Sequence, residues 1–455
     1  MNARRALLWL SAAAATAAAA APLAHAEPSA WSPPATPDPC PSTQAPVVAF
    51  PSDSPTHSTG WGAVVWQASP TCAGGAGARI ARIGDGDIPG PSRIPSSPEG
   101  RPLRLTGPFT ASGGPNGWIV IAGQAAGPGA GAELIQGFAD GPFYRVVHGS
   151  GGAAPAALAS AYLGDVAVAD AAPGPGGPLQ VSLERHFATR FAPPAQEGRP
   201  AGQVHALTVA LDYRSEAVLV WQQDGWLYAR EVPAIGPAHR IWRLAPAVAG
   251  VRVVALLSDD NRAIVAWSEQ LDGATSVYLD RSGAGVTFGA PQLLERFADP
   301  SGLAAPAASP RLVRLSSESV MMAWAGAEAG RWVVRTAAVD LHGLRTVGTI
   351  AAPGGDALLD DLVPGPNGEA LAMWSEPAIS PGGTPDLSRQ AIFTARGFDE
   401  YPGFTHFGTP EQVAPPGPND DATLAIDPGN GAAVAVWLGQ SQALSFAVRQ
   451  PQGGS

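Results

Sequence analysis

Short runs of small apolar residues recur along the chain, most of them closing on tryptophan. The clearest are residues 368–374 (GEALAMW) and 431–437 (GAAVAVW), each preceded by an asparagine, Asn367 and Asn430. Residues 215–221, 261–267, 318–324 and 60–66 keep the same offset of six positions between the first residue and the tryptophan. Residues 117–123 and 164–170 keep the apolar run but end on Gly123 and Asp170. The eight runs end at positions 66, 123, 170, 221, 267, 324, 374 and 437, so successive copies lie 46 to 63 residues apart. A repeat of this period overrides the two or three domains that length alone would suggest.

Within a unit, alternation and a high Val and Ile content predict strands. In the last copy these are 422–426, 432–437 and 443–449, arranged around a turn at 427–431. Middle copies add a fourth at 239–246, 286–295, 345–352 and 409–415. Four short strands per unit predict an all-β fold, a β-propeller of seven or eight four-stranded blades; a solenoid of sheets and two tandem sandwiches are the rivals. The last copy stops after three strands, and the aromatic-then-proline segment 31–35 (WSPPA) is expected to supply the missing one. Such a strand would close the ring and cover edges that an open array leaves unpaired.

The N-terminus changes this picture little. Arg4 and Arg5 precede an Ala-rich apolar stretch, and Ala24-His25-Ala26 leads to Glu27, the pattern of a signal peptide over residues 1–26. The remaining organisation is a Pro-rich segment at 27–45 that holds the closing strand, a single propeller domain at 46–450 and a tail at 451–455. Export, to periplasm or exterior, makes a disulfide between the only two cysteines, Cys40 and Cys72, the expected pairing. Removing Arg4 and Arg5 takes the net charge from −11 to −13. An acidic chain without a basic stretch is unsuited to nucleic acid, and no later segment is apolar for long enough to cross a membrane as a helix.

On these repeats the chain resembles secreted bacterial β-propeller proteins of the sialidase-like kind, whose copies read Gly-x-Ala-x-x-x-Trp followed by a charged hairpin. The resemblance spans residues 46–450. It implies a propeller fold and a tendency to bind glycans or surface ligands, but the Ser-x-Asp-x-Gly-x-x-Thr-Trp box of sialidases is absent from all eight copies. No catalytic residue carries over.

Candidate chemistry gathers where the second-to-third-strand loops and the connections between units would share one face. Glu269 and Glu376 follow their tryptophans in Trp-Ser-Glu triplets, while Asp356, Asp420 and Asp421 lie in inward connections. Converging carboxylates can hold a cation or exchange protons, although Trp-Ser-Glu also reads as inherited repeat character and loop aspartates as turn formers. Arg252, Arg311 and Arg314 fall on expected innermost strands, and His205 precedes another. The eight histidines show no His-Glu-x-x-His spacing and the chain lacks lysine, so neither a zinc site nor a P-loop is expected, and no cofactor. Trp66, Trp221, Trp267, Trp324, Trp374 and Trp437 are expected in the core, with Trp61, Trp226 and Trp332 more exposed.

The resulting expectation is an exported, non-catalytic propeller that binds a glycan, an envelope component or a partner protein. A glycoside hydrolase or lyase and a purely structural envelope protein are the alternatives. Cleavage after Ala26 predicts that N-terminal sequencing of the exported protein reads Glu27-Pro28-Ser29; an intact N-terminus on exported material would overturn it.

Overall fold

The computed structural model describes residues 31–49, 62–84, 89–113, 118–125, 132–146, 156–160, 165–171, 179–184, 195–196, 202–212, 214–233, 240–248, 250–258, 262–283, 287–298, 300, 310–316, 319–340, 343–350, 355–400, 404–427 and 431–450. The described residues form eight small antiparallel sheets, with only two short 3-10 turns among them. Numbered in chain order, the sheets begin with the strands Val47–Ala49, Leu105–Gly113, Ala156–Ser160, Val204–Leu211, Arg252–Leu257, Arg311–Arg314, Leu358–Pro364 and Asp420–Ile426. Each first strand neighbours the first strand of the next sheet, and that of sheet 8 also neighbours that of sheet 1.

The second strand of each sheet carries the apolar run. Gly62–Ala68, Ala217–Gln223 and Ala433–Leu438 are buried at every position. A strand covered on both faces needs no polar alternation, which explains why the runs read as continuous rather than alternating. The two faces serve different neighbours. Val218 and Val220 pack toward sheet 5, whereas Leu219 and Trp221 pack toward sheet 3. Every adjacent pair of sheets has its own apolar cluster, including Val64, Trp66 and Ile83 of sheet 1 against Val434, Val436 and Leu438 of sheet 8.

All six repeat tryptophans are buried. Three stack on the aromatic ring directly across the ladder: Trp221 on Tyr228 at 5.5 Å, Trp267 on Tyr278 at 5.2 Å and Trp374 on Phe393 at 6.0 Å. Burying such a ring stabilises by roughly 1.5 to 3 kcal/mol, and a cross-strand aromatic pair adds about 0.5 to 1.5 kcal/mol. Trp332 departs from its expected exposure. It is buried near the start of the third strand of sheet 6, edge-on to Phe297 at 5.3 Å, with Asp356 accepting its backbone N–H at 2.8 Å. Trp226 is half-buried beneath the Arg243 guanidinium, and Trp61 lies outside the described residues.

Strand boundaries moved in two informative places. The fourth strand of sheet 5 is Gln292–Ala298, later than 286–295, because Ser282 pairs with Phe288 in a separate bridge that uses up the first half of the segment. In sheet 8 the first strand starts at Asp420, so Asp420 and Asp421 belong to the strand and not to a connection.

The N-terminal strand is Ala35–Pro41, on the outer edge of sheet 8 against Ala443–Arg449. It starts where the expected segment ends, since Trp31 makes only an isolated bridge to Arg449 and donates its indole N–H to Thr394 Oγ1 of sheet 7 at 3.0 Å. Cys40 on this strand is bonded to Cys72, just beyond the second strand of sheet 1, with the Cα atoms 5.6 Å apart. The bond thus ties the last sheet to the first. Closing a loop of sequence separation 32 is worth about 3 to 4 kcal/mol, so Cys40→Ser with Cys72→Ser should lower unfolding stability by that amount in urea titration. An unchanged midpoint would mean that the fold does not depend on the bond.

Candidate functional site

The N-terminal ends of the first strands of sheets 5, 6, 7 and 8 come together at one place. A cavity of about 680 Å³ opens there. Arg252 and Arg311 head the first strands of sheets 5 and 6, Asp360 is third in that of sheet 7, and Asp420 and Asp421 open that of sheet 8. Leu358, Leu387 and Ala422 supply apolar wall, and Ala45 and Pro46, just before the first strand of sheet 1, are part of the lining.

Pairing geometry decides which carboxylates face the cavity. Along sheet 7, Leu359 pairs with Trp374 and Asp361 with Met373, leaving Asp360 as an extra residue in a β-bulge. In sheet 8, Asp420 pairs with Leu438 and Thr423 with Val436, so Asp421 and Ala422 together oppose a single residue. Asp421 adopts φ 49°, a left-handed conformation that Asp tolerates better than most residues. A bulge re-aims side chains at the expense of ladder hydrogen bonds. Here it delivers an acidic residue twice.

The two sheets are joined beneath the cavity by Asp361. Its Oδ1 accepts from Arg311 Nε at 3.2 Å, and its Oδ2 accepts from Thr423 Oγ1 at 3.0 Å and Leu424 N at 3.1 Å. Arg311 also donates through Nη2 to the Asp360 main-chain carbonyl at 2.8 Å. Ser375, opposite Leu358 in the ladder, donates to Asp360 Oδ2 at 2.6 Å. Loss of water around the Asp360 carboxyl pushes it up to about 8; the Ser375 bond and Arg311 oppose the rise, and the charges of Asp361 and Asp420 reinforce it. Asp421 is also raised, by partial burial of its carboxylate and by the charge of Asp420 beside it.

The residues singled out in the sequence divide sharply. Asp420 and Asp421 line the cavity. Glu376 does not, because the pleat sends it to the opposite side from its cavity-lining neighbour Ser375, where it accepts the Trp374 indole N–H at 2.9 Å. The same spacing gives Trp221 Nε1 to Gln223 Oε1 at 3.4 Å, so a polar residue two places after the tryptophan serves the packing. Asp356 is buried in its bond to Trp332 N. Glu269 lies half-exposed on its strand, and His205 is exposed near the start of the sheet 4 first strand; neither lines the cavity. Arg314 ends the strand that Arg311 begins, so it sits at the far end and donates to Leu257 O at 2.6 Å. Among the described residues no group of three potential ligands is placed to hold a metal.

Asp360 was not singled out in the sequence. The signal available was an acidic pair, Asp360-Asp361, inside an apolar inner-strand run, which is costly unless the pair has a task or partners.

No protein-family profile matches the chain, and no curated protein matches it in sequence. Similar solved structures are β-propeller-like. They include a puromycin hydrolase (15% identity, TM-score 0.45, covering 90% of this chain and 61% of that one) and an ulvan lyase of a polysaccharide lyase family (11%, 0.45, 90% and 93%). A third is a fucose-binding lectin from Aleuria aurantia (11%, 0.36, 69% and 99%). The chain therefore spans under two thirds of the hydrolase it resembles.

A carboxyl raised on folding holds its proton more tightly in the native state than in the unfolded chain. The stability this contributes is complete below about pH 4 and is lost as pH rises through about 8. Asp360→Asn should accordingly match the parent in thermal midpoint at pH 3.5 and exceed it at pH 8.5. Parallel curves across that range, measured calorimetrically, would sink the assignment.

Proposed function

We propose that the chain is a closed, eight-bladed propeller, exported from the cell, that binds a carbohydrate in the cavity at the N-terminal ends of its central strands. Closure is supported by the apolar cluster between sheets 1 and 8 and by the N-terminal strand on the edge of sheet 8. The observation that carries the ligand class is the mixture of groups on the wall. Asp420 and Asp421 accept hydrogen bonds, Arg252 donates them, and Leu358 and Leu387 offer apolar surface between. Neighbouring hydroxyls of a sugar donate to carboxylates and accept from a guanidinium, while the C–H face of the ring covers apolar carbon. Phosphate-rich ligands meet repulsion from the carboxylates of Asp420 and Asp421 at the same wall, and lipid leaves those groups unsatisfied.

Arg252 is exposed at the rim, so its removal should leave the fold intact. A glycan array followed by titration calorimetry should find an oligosaccharide ligand, with Arg252→Ala and Asp420→Asn each weakening it about tenfold, the loss expected for one charge-assisted hydrogen bond. Absence of any glycan ligand, or affinity that neither substitution lowers, would overturn the proposal.

A further inference from the structure

The acidic residues of the cavity are not evenly distributed around it. They come from two adjacent first strands, and both strands break their ladders where those residues stand: Asp360 is the residue skipped in sheet 7, and Asp421 is the left-handed residue in sheet 8. The first strands of sheets 5 and 6 pair without interruption and present Arg252 and Arg311 instead. Asp361 clamps the two bulged strands together through Thr423 and Leu424, so the positions of Asp360 and Asp421 are set relative to one another by main-chain and side-chain bonds.

We infer that this cavity hydrolyses a glycosidic bond, with Asp360 as the proton donor and Asp421 as the base that activates water. The inference rests on the carbohydrate reading above. In the step it describes, Asp421 takes a proton from a water molecule as the water oxygen bonds to the anomeric carbon. The bond from that carbon to the leaving oxygen breaks, its electron pair stays on the oxygen, and the oxygen takes the proton of Asp360. One water is consumed, two sugars result, and the proton gained by Asp421 returns to Asp360 through solvent.

The surroundings suit each role. Asp360 is enclosed enough to keep its proton up to about pH 8, with Asp361 and Asp420 adding to burial and with Ser375 and Arg311 working against it. Ser375 orients its carboxyl at 2.6 Å. A pair of carboxyls in unlike surroundings is the general arrangement by which acid and base roles separate at neutral pH. Charge points to the same class of reaction. Glycosidic cleavage passes through a cationic, oxocarbenium-like state, which the Asp420 carboxylate at the same wall stabilises. Acyl and phosphoryl transfer build up negative charge, which the carboxylates of Asp420 and Asp421 oppose.

The test uses the full mature protein and the oligosaccharide that it binds on the array. Incubation should generate new reducing ends. Asp360→Asn should lower kcat by at least about a hundredfold with KM little changed, and should remove the alkaline limb near pH 8 from the rate profile. Asp421→Asn, chosen because Asn tolerates the left-handed conformation, should lose turnover and regain part of it with added azide, yielding a glycosyl azide. A bound glycan that stays intact overturns hydrolysis and leaves the binding site standing. Failure to bind any glycan removes both. Cleavage at the parent rate in either Asn variant, with both proteins shown to be folded by circular dichroism, overturns the assignment of roles.

Discussion

Packing of one sheet face against the next is the interaction on which everything else in this molecule depends. No sheet has a core of its own. Each second strand is apolar on both faces and buries one face against the preceding unit and the other against the following one, as Leu219 and Val220 do in sheet 4. Such a unit is unstable alone, and a linear row of them would leave two apolar faces in water. The contact between Val64 and Trp66 of sheet 1 and Val434 and Val436 of sheet 8 removes both faces at once. The edge strand Ala35–Pro41 and the Cys40–Cys72 bond then hold in place the one seam where the chain itself does not run continuously from unit to unit.

That constraint also creates the cavity. Because the first strands of successive sheets are neighbours, residues far apart in sequence meet at their ends: Arg252 and Asp421 share a wall although about 170 positions separate them. The rigid packing outside permits irregularity inside. A bulge forfeits ladder hydrogen bonds, and a bare acidic pair inside an apolar strand is costly, yet Asp360 and Asp361 are tolerated because neighbouring strands supply Ser375, Arg311 and Thr423 as partners.

Legibility followed the same division. The tryptophans announce the repeat because each occupies an equivalent buried place, and burial of an equivalent residue in six of the eight units produces a visible spacing. The Trp-Ser-Glu triplets misled for a related reason: a conserved-looking polar residue can be part of the packing, and Glu376 is, as the acceptor for Trp374. Arg314 misled because a four-residue strand has two ends and only one reaches the cavity.

The sequence by itself determined the number and spacing of the apolar runs, the all-β character, the burial of the repeat tryptophans and the partners of the disulfide. These follow from local composition and from the period of hydrophobic positions. Only the tertiary structure decided that Asp360 and Asp421 face one cavity while Glu376 and Asp356 turn away. In a strand, facing is a matter of parity, and a single unpaired residue reverses it for all that follows. Whether a residue is unpaired depends on the partner strand and its register, which no spacing along one strand can express.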